Sequence, residues 1–274
     1  MKCTMLVNSA GKFLERRSEL YNIVSNSAEF RTAGVRLYPH DTIAASFSVI
    51  VDLLQTSESL NDLSEKNVKT VLDVGGANGD LSFVFADAGY ETTFVDISKS
   101  DENGPLVASL INRQLDSNVR VVDFSIDGYF CYRDLIERTV NVEQFLHSSQ
   151  SEIFDLVICT GLFYHLKNPF AFLESIRNMC HYCILETWLM SYFPDNITKV
   201  RDVPIAYLLG TGELNNDSSN YWIFTDSSFR RLAERAGFSV AFSASEFWRQ
   251  DKISNPVDIP EGYGEKGYLL LRSR

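Results

Sequence analysis

The sequence predicts an α/β fold: a seven-stranded, mostly parallel sheet with helices on both faces. Three observations predict it. Short apolar runs alternate with segments of helical periodicity, the pattern of strand–helix–strand units. The run Val71–Val74 is nearly all apolar, as a strand covered on both faces must be. It then enters a glycine cluster, VLDVGGANGD over Val71–Asp80, and parallel sheets bind ligands at the carboxyl ends of their strands.

The elements follow in order. Residues 1–66 read as an N-terminal helical segment that serves as a lid. Phe13, Leu14, Leu20, Tyr21 and Val24 recur there at near-helical spacing. RTAGVRLYPHD carries Gly and Pro and reads as a loop, and a second helix starts after Pro39 with Asp41 as N-cap. Residues 67–274 form the core. Strands are expected at Lys69–Val74, Glu91–Asp96, Val119–Phe124, Phe154–Cys159, Tyr182–Thr187, Val240–Phe242 and Tyr268–Leu271. Helices are expected at Asp80–Ala88, closed by Gly89, and at Pro105–Leu115, Pro169–Asn178 and Phe229–Ala236, closed by Gly237. Ser125–Ile153 and Trp188–Thr225 are too long for plain connections. The second, an insert over about 188–225, leaves the carboxyl edge and is expected to cover the substrate side.

Net charge is −11 and the pI is about 4.9. An acidic chain repels phosphate backbones, which speaks against a nucleic-acid partner. The densest basic cluster, Arg230, Arg231 and Arg235, reads as a solvated helix face. No window approaches the roughly 20 apolar residues that cross a bilayer, so no membrane partner is expected. The start, MKCTMLVNSAGKF, has no secretory pattern. With an odd number of cysteines this points to a reducing, cytoplasmic setting. Cys180 and Cys183 have CxxC spacing but no second ligand pair, so buried thiols rather than a metal are expected. The sequence leaves an oligomer open.

The glycine spacing decides the ligand. A dinucleotide fingerprint starting at Gly75 needs Gly at 77 and 80, where Ala77 and Asp80 stand. No GK[ST] follows, so the phosphate loop fails too. Gly75, Gly76 and Gly79 let backbone approach a ligand closely. Asp73 would repel a pyrophosphate but attract an ammonium. Asp96, ending the next strand, can accept two hydrogen bonds from a ribose diol. A ligand with ribose, ammonium and no phosphate fits: S-adenosylmethionine, leaving S-adenosylhomocysteine as product.

VLDVGGANGD, FVD and FDLVICTGLFYHLKNP resemble the class I S-adenosylmethionine-dependent methyltransferases, whose sheet is Rossmann-like. The resemblance implies that Asp73 and Gly75 face the methionine moiety and that Asp96, with Ile97 beside it, holds the ribose. It implies that Asp123 and Phe124 flank the adenine, and that Thr160 and Gly161 underlie the methionine end. GLFYHLKNP, ILET, YWIFTDSSFRRLAERAGF and the late Glu261–Tyr263 are similar to the branch containing tRNA wobble-uridine carboxymethyltransferases and small-molecule relatives. In that branch an Arg before the last strand meets a carboxylated cofactor; here Gly267 stands there, beside Lys266. Plain methyl transfer to a small-molecule acceptor is therefore expected. A tRNA-modifying enzyme and a non-catalytic cofactor-binding scaffold are the competing readings.

Methyl transfer is an in-line displacement that needs alignment and exclusion of water. His165 is the first candidate base, because an imidazole titrates near neutrality. Tyr164 can orient methyl or acceptor, and Glu186 is a second candidate base. Tyr192, Tyr207, Tyr221 and Trp222 in the insert, with Asp195 and Asn220, are candidate substrate contacts. Tyr38, in the early loop, is expected to close the pocket.

Overall fold

The structure is a computed structural model that describes residues 3–39, 41, 43–56, 68–99, 103–140, 152–193, 197–247 and 265–274. Asp195 and Glu261–Tyr263 lie outside the described residues. The chain divides into two compact units: Met1–Ile126 with Phe130–Ile158, and Asp127–Tyr129 with Cys159–Arg274.

The first unit opens with α1 (Cys3–Asn26) and α2 (Ala28–Ala33). The expected second helix begins as a π-helical turn, Ile43–Phe47, and becomes α-helical only in α3 (Ser48–Thr56). Asp41, two residues before this turn, pairs with Arg17 at 3.6 Å. Next come β1 (Thr70–Val74), α4 (Asp80–Asp87), β2 (Glu91–Asp96), α5 (Gly104–Leu115), β3 (Arg120–Asp123), α6 (Tyr132–Glu137) and β4 (Phe154–Cys159). The strands run in the order β3-β2-β1-β4, all parallel. Each was legible because a doubly covered strand is an unbroken apolar run. Register sets Asp73 opposite Phe94, and Asp96 opposite Asp123. The acids thus sit at the carboxyl ends of adjacent strands. Helix α1 buries Leu6, Phe13, Leu20 and Val24, with Phe13 stacked on Phe83 of α4 at 6.1 Å.

The second unit holds a 3₁₀ turn at Phe163–His165, α7 (Pro169–Arg177), β5 (Cys180–Leu189), β6 (Ala206–Leu208), β7 (Trp222–Phe224), α8 (Asp226–Arg235), β8 (Phe238–Phe247) and β9 (Glu265–Ser273). Strand β9 pairs antiparallel with β5 on one side and β8 on the other; β7 runs parallel to β5 and antiparallel to β6. Nine strands therefore appear among the described residues, where seven were expected. The insert supplies the extra two, β6 and β7, each too short to show a period. Strands β5, β8 and β9 are also longer than expected, because pairing carries them past their apolar centres. Cys180 and Cys183 both lie inside β5 and are buried. Burial pushes the Cys180 thiol up to about 12.

The fold is α/β and Rossmann-like, with a mostly parallel sheet. Among the described residues no helix is long and apolar enough to cross a membrane.

Candidate active site

The glycine loop after β1 is built around Asp73. Its carboxylate is 2% exposed, and Oδ2 accepts from Ser82 Oγ at 2.6 Å. Burial raises it to about 7; the Ser82 hydrogen bond opposes this and the Asp96 charge adds to it. Gly76 lies directly over Asp73. A Cβ there would fall 2.8 Å from Asp73 Oδ2 and from two Phe94 ring carbons. Gly75 and Gly79 hold φ of 69° and 88°, which side chains adopt at a cost. Ala77 stands at φ 54°, the left-handed region glycine would favour. Its N–H donates to Asp96 Oδ2 at 2.8 Å, which holds that conformation. Asp96 Oδ1 accepts from Ile97 N–H at 2.7 Å. Asp96 thus faces the glycine loop across the ends of two strands.

Asp123, ending β3, is tied to the residue two positions after β2. Both its oxygens accept from Ser98, from N–H at 3.0 Å and from Oγ at 2.6 Å. Phe124 packs beside Phe130, with ring centroids 5.9 Å apart. The early loop reaches the glycine loop through Tyr38 by its backbone: Tyr38 N–H donates to Asn78 Oδ1 at 3.0 Å, and Asn78 Nδ2 donates to Tyr38 O at 2.9 Å.

Beneath the loop lies a polar cluster that the sequence did not reveal. Asp80, the first residue of α4, is 1% exposed. Arg17 Nε donates to its Oδ2 at 2.8 Å and Tyr21 OH to its Oδ1 at 2.6 Å. Burial pulls the Asp80 carboxyl upward, while Arg17 and Tyr21 counter it. Burial and the Asp80 charge push the Tyr21 phenol well above its ordinary range. No local signal marks residues 63 positions apart as partners.

A cavity of about 800 Å³ in this unit lies at the other end of the strands, lined by Thr70, Glu91, Arg120 and Phe154 where each begins. It is separate from the acids at the carboxyl ends.

In the second unit, Gly161 at φ 71° turns the chain into the Phe163–His165 turn. Phe163 anchors the turn against Phe172, Phe224 and Phe229, with centroids 5.3–6.2 Å apart. Thr160 is half-buried just before the turn. Tyr164 is buried in an apolar cluster with Trp188, Met190, Val200, Leu209, Leu214 and Ile223, against which Tyr207 packs. His165 stacks obliquely on Tyr164, centroids 4.3 Å apart. Its Nδ1 lies 3.1 Å from Ser219 O and 3.0 Å from Ser219 Oγ.

The candidate substrate residues divide. Tyr221 N–H donates to Tyr164 O at 2.9 Å, and Lys167 Nζ sits 5.7 Å from the Tyr221 ring centroid. Trp222, on β7, and Asn220, 4% exposed, keep an indole N–H and an amide oxygen with no hydrogen-bond partner among the described residues. Tyr207 OH donates to Glu213 at 2.9 Å. Tyr192 points outward. Glu186 is fully buried, with Oε1 2.7 Å from Lys266 Nζ. A Cβ on Gly267 would lie 2.5–2.8 Å from Leu189 Cδ1 and Cγ.

The family model of a methyltransferase domain matches residues 52–241. The chain belongs to the methyltransferase-domain family. The match runs from α3 into β8 and includes the glycine loop, the acids and the Phe163–His165 turn. No curated protein matches this methyltransferase-family chain. Solved structures do, at low identity. The N-terminal domain of EvdMO1, crystallised in the presence of SAH and D-fucose, has TM-score 0.51 and 13% identity, covering 86% of this chain and 85% of that one. Magnesium protoporphyrin IX methyltransferase (ChlM) from Synechocystis PCC 6803, with bound SAH, has TM-score 0.50 and 13% identity, covering 94% and 100%. These likenesses are of fold.

Proposed function

We propose that the chain is an S-adenosylmethionine-dependent methyltransferase that methylates a hydroxyl or amine of a small molecule. The observation that carries this is a buried acid, Asp73, roofed by a glycine where a Cβ would collide, beside Asp96 on the next strand. The cradle fits the cofactor: an anion removed from water calls for an ammonium, and Asp96 suits a ribose diol. Fold relatives crystallised with SAH add support. When bound, the cofactor supplies an electrophilic methyl on a sulfonium. Of this chain's residues, Asp73, Gly75, Gly76 and Gly79 receive the methionine end and Asp96 and Ile97 the ribose; Asp123 and Phe124 border the adenine through the Ser98 turn. The family resemblance assigns Thr160 and Gly161 to the methionine as well. His165 takes the acceptor's proton, and Tyr164, Tyr221, Trp222 and Asn220 orient the acceptor.

Asp96→Ala is expected to weaken S-adenosylhomocysteine binding by about 1–3 kcal/mol, roughly 5- to 150-fold, through an unpaired diol. Calorimetric titration reads this directly, and a wild-type chain that binds neither form of the cofactor ends the proposal.

Affinity should also depend on pH. An acid raised by burial lends stability below its ordinary 3.8 and loses it as pH rises through about 7. An ammonium ligand favours the ionised form, so binding expels a proton below about 7. Affinity is expected to rise with pH, up to tenfold per unit, and to level off above about 7. The same titration in buffers of different ionisation enthalpy counts the proton, and an Asp73→Asn chain should lose the slope.

Within this reading, plain methyl transfer is favoured over carboxymethyl transfer, because Leu189 fills the space a basic side chain at 267 would need. The likeness of GLFYHLKNP to the wobble-uridine branch is accommodated as shared ancestry of the turn, not of substrate.

A further inference from the structure

His165 is held by two groups of Ser219, and only one assignment of protons satisfies both. Ser219 O is a carbonyl and can only accept, so the Nδ1 that lies 3.1 Å from it carries the proton. Ser219 Oγ, 3.0 Å from the same Nδ1, donates its own proton to Asp217 Oδ1 at 2.7 Å. Its lone pair therefore also faces the Nδ1 proton. Asp217 Oδ1 accepts Ser219 N–H as well, at 2.8 Å, so one carboxylate oxygen fixes both the turn and the hydroxyl.

The turn itself is anchored. Asp217 N–H donates to Leu214 O at 3.1 Å and Asn220 Nδ2 to the same oxygen at 2.9 Å. Asn215 and Asn216 stand at φ 56° and 51° to bring it round. On the other side, Tyr221 N–H is bonded to Tyr164 O. The Ser219 carbonyl is thus placed by contacts before and after it, and His165 by the 3₁₀ bond from its N–H to Leu162 O at 2.8 Å.

We propose that Ser219 and Asp217 are positioning residues that fix the His165 imidazole as its Nδ1–H form, with Nε2 as the nitrogen that takes a proton from the methyl acceptor. The inference rests on the methyltransferase reading above. As the acceptor atom forms its bond to carbon, the carbon–sulfur electron pair leaves with sulfur, and the acceptor's proton passes to Nε2. The imidazolium so formed keeps its Nδ1–H on Ser219, whose carbonyl and hydroxyl dipoles, with Asp217 behind, stabilise the new charge. The arrangement serves acceptors that must lose a proton, hydroxyls and amines, and adds nothing for a thioether or an aromatic nitrogen without hydrogen.

The test needs no acceptor. In the full chain, imidazole nitrogen chemical shifts separate the two neutral tautomers, with His165→Gln used to assign the resonance. In wild type the neutral His165 ring is expected as Nδ1–H, the less common form in free histidine. Asp217→Ala should shift the ring toward Nε2–H, and Asp217→Asn, which keeps an accepting oxygen, should restore Nδ1–H. A wild-type ring in the Nε2–H form overturns the proposal. So does an Asp217→Ala ring unchanged from wild type. Binding of S-adenosylhomocysteine, measured on the same samples, reports separately on the reading beneath it.

Discussion

Lys266→Met is expected to cost about 3–5 kcal/mol of unfolding free energy, because it strands a buried carboxylate. Glu186 and Lys266 have side-chain exposures of 0% and 8%, and their charged atoms are 2.7 Å apart. Lys266 Nζ also lies 5.3 Å from the Trp188 ring centroid, on the same sheet face, where the two residues are cross-strand neighbours. Water cannot replace the lost ammonium there. The pair itself is another matter, since taking two charges out of water offsets most of their attraction. The double variant Glu186→Leu with Lys266→Met should therefore recover most of the loss. Urea unfolding at constant slope measures both. A single variant as stable as wild type would show that the carboxylate finds another partner.

Asp80→Ala is expected to cost about 3 kcal/mol, from two hydrogen bonds to a charged group worth roughly 1.5–3 kcal/mol each. The sum is reduced because the Arg17 side chain is 20% exposed and Asp41 remains at 3.6 Å. Asp80 also favours the amino terminus of α4, where the helix dipole welcomes an anion. Asp80→Asn should lose less, because an amide oxygen can still accept from Tyr21. Hydrogen exchange would locate the effect: α1 should open far more readily than β1 or β2, which keep their pairing.

The contrast between these groups explains what was legible in the sequence. The glycine loop and Asp73 and Asp96 were readable because their meaning lies in local spacing at strand ends. The parallel strands were readable because burial on both faces leaves an apolar run. Arg17 and Tyr21 were not, since their partner lies on α4 and nothing within α1 differs from an ordinary polar helix face. The π-helical start of α3 left no signal, because TIAASFSVIVDLLQ reads equally well at the α period. Strands β6 and β7 have three residues each, fewer than a period needs. His165 could be named from its place after β4, but the groups that orient it come from a turn 54 residues later. Glu186 sat at the expected strand, yet only the register with β9 showed that a lysine neutralises it.

The close approach of Gly267 to Leu189 has an evolutionary consequence. A side chain at 267 alone collides with Leu189, and a smaller residue at 189 alone leaves a void in a buried layer. Each step is harmful without the other, so the two positions are epistatic. The contact acts as a ratchet: once leucine is packed against glycine here, no larger residue enters at 267 through single tolerated changes.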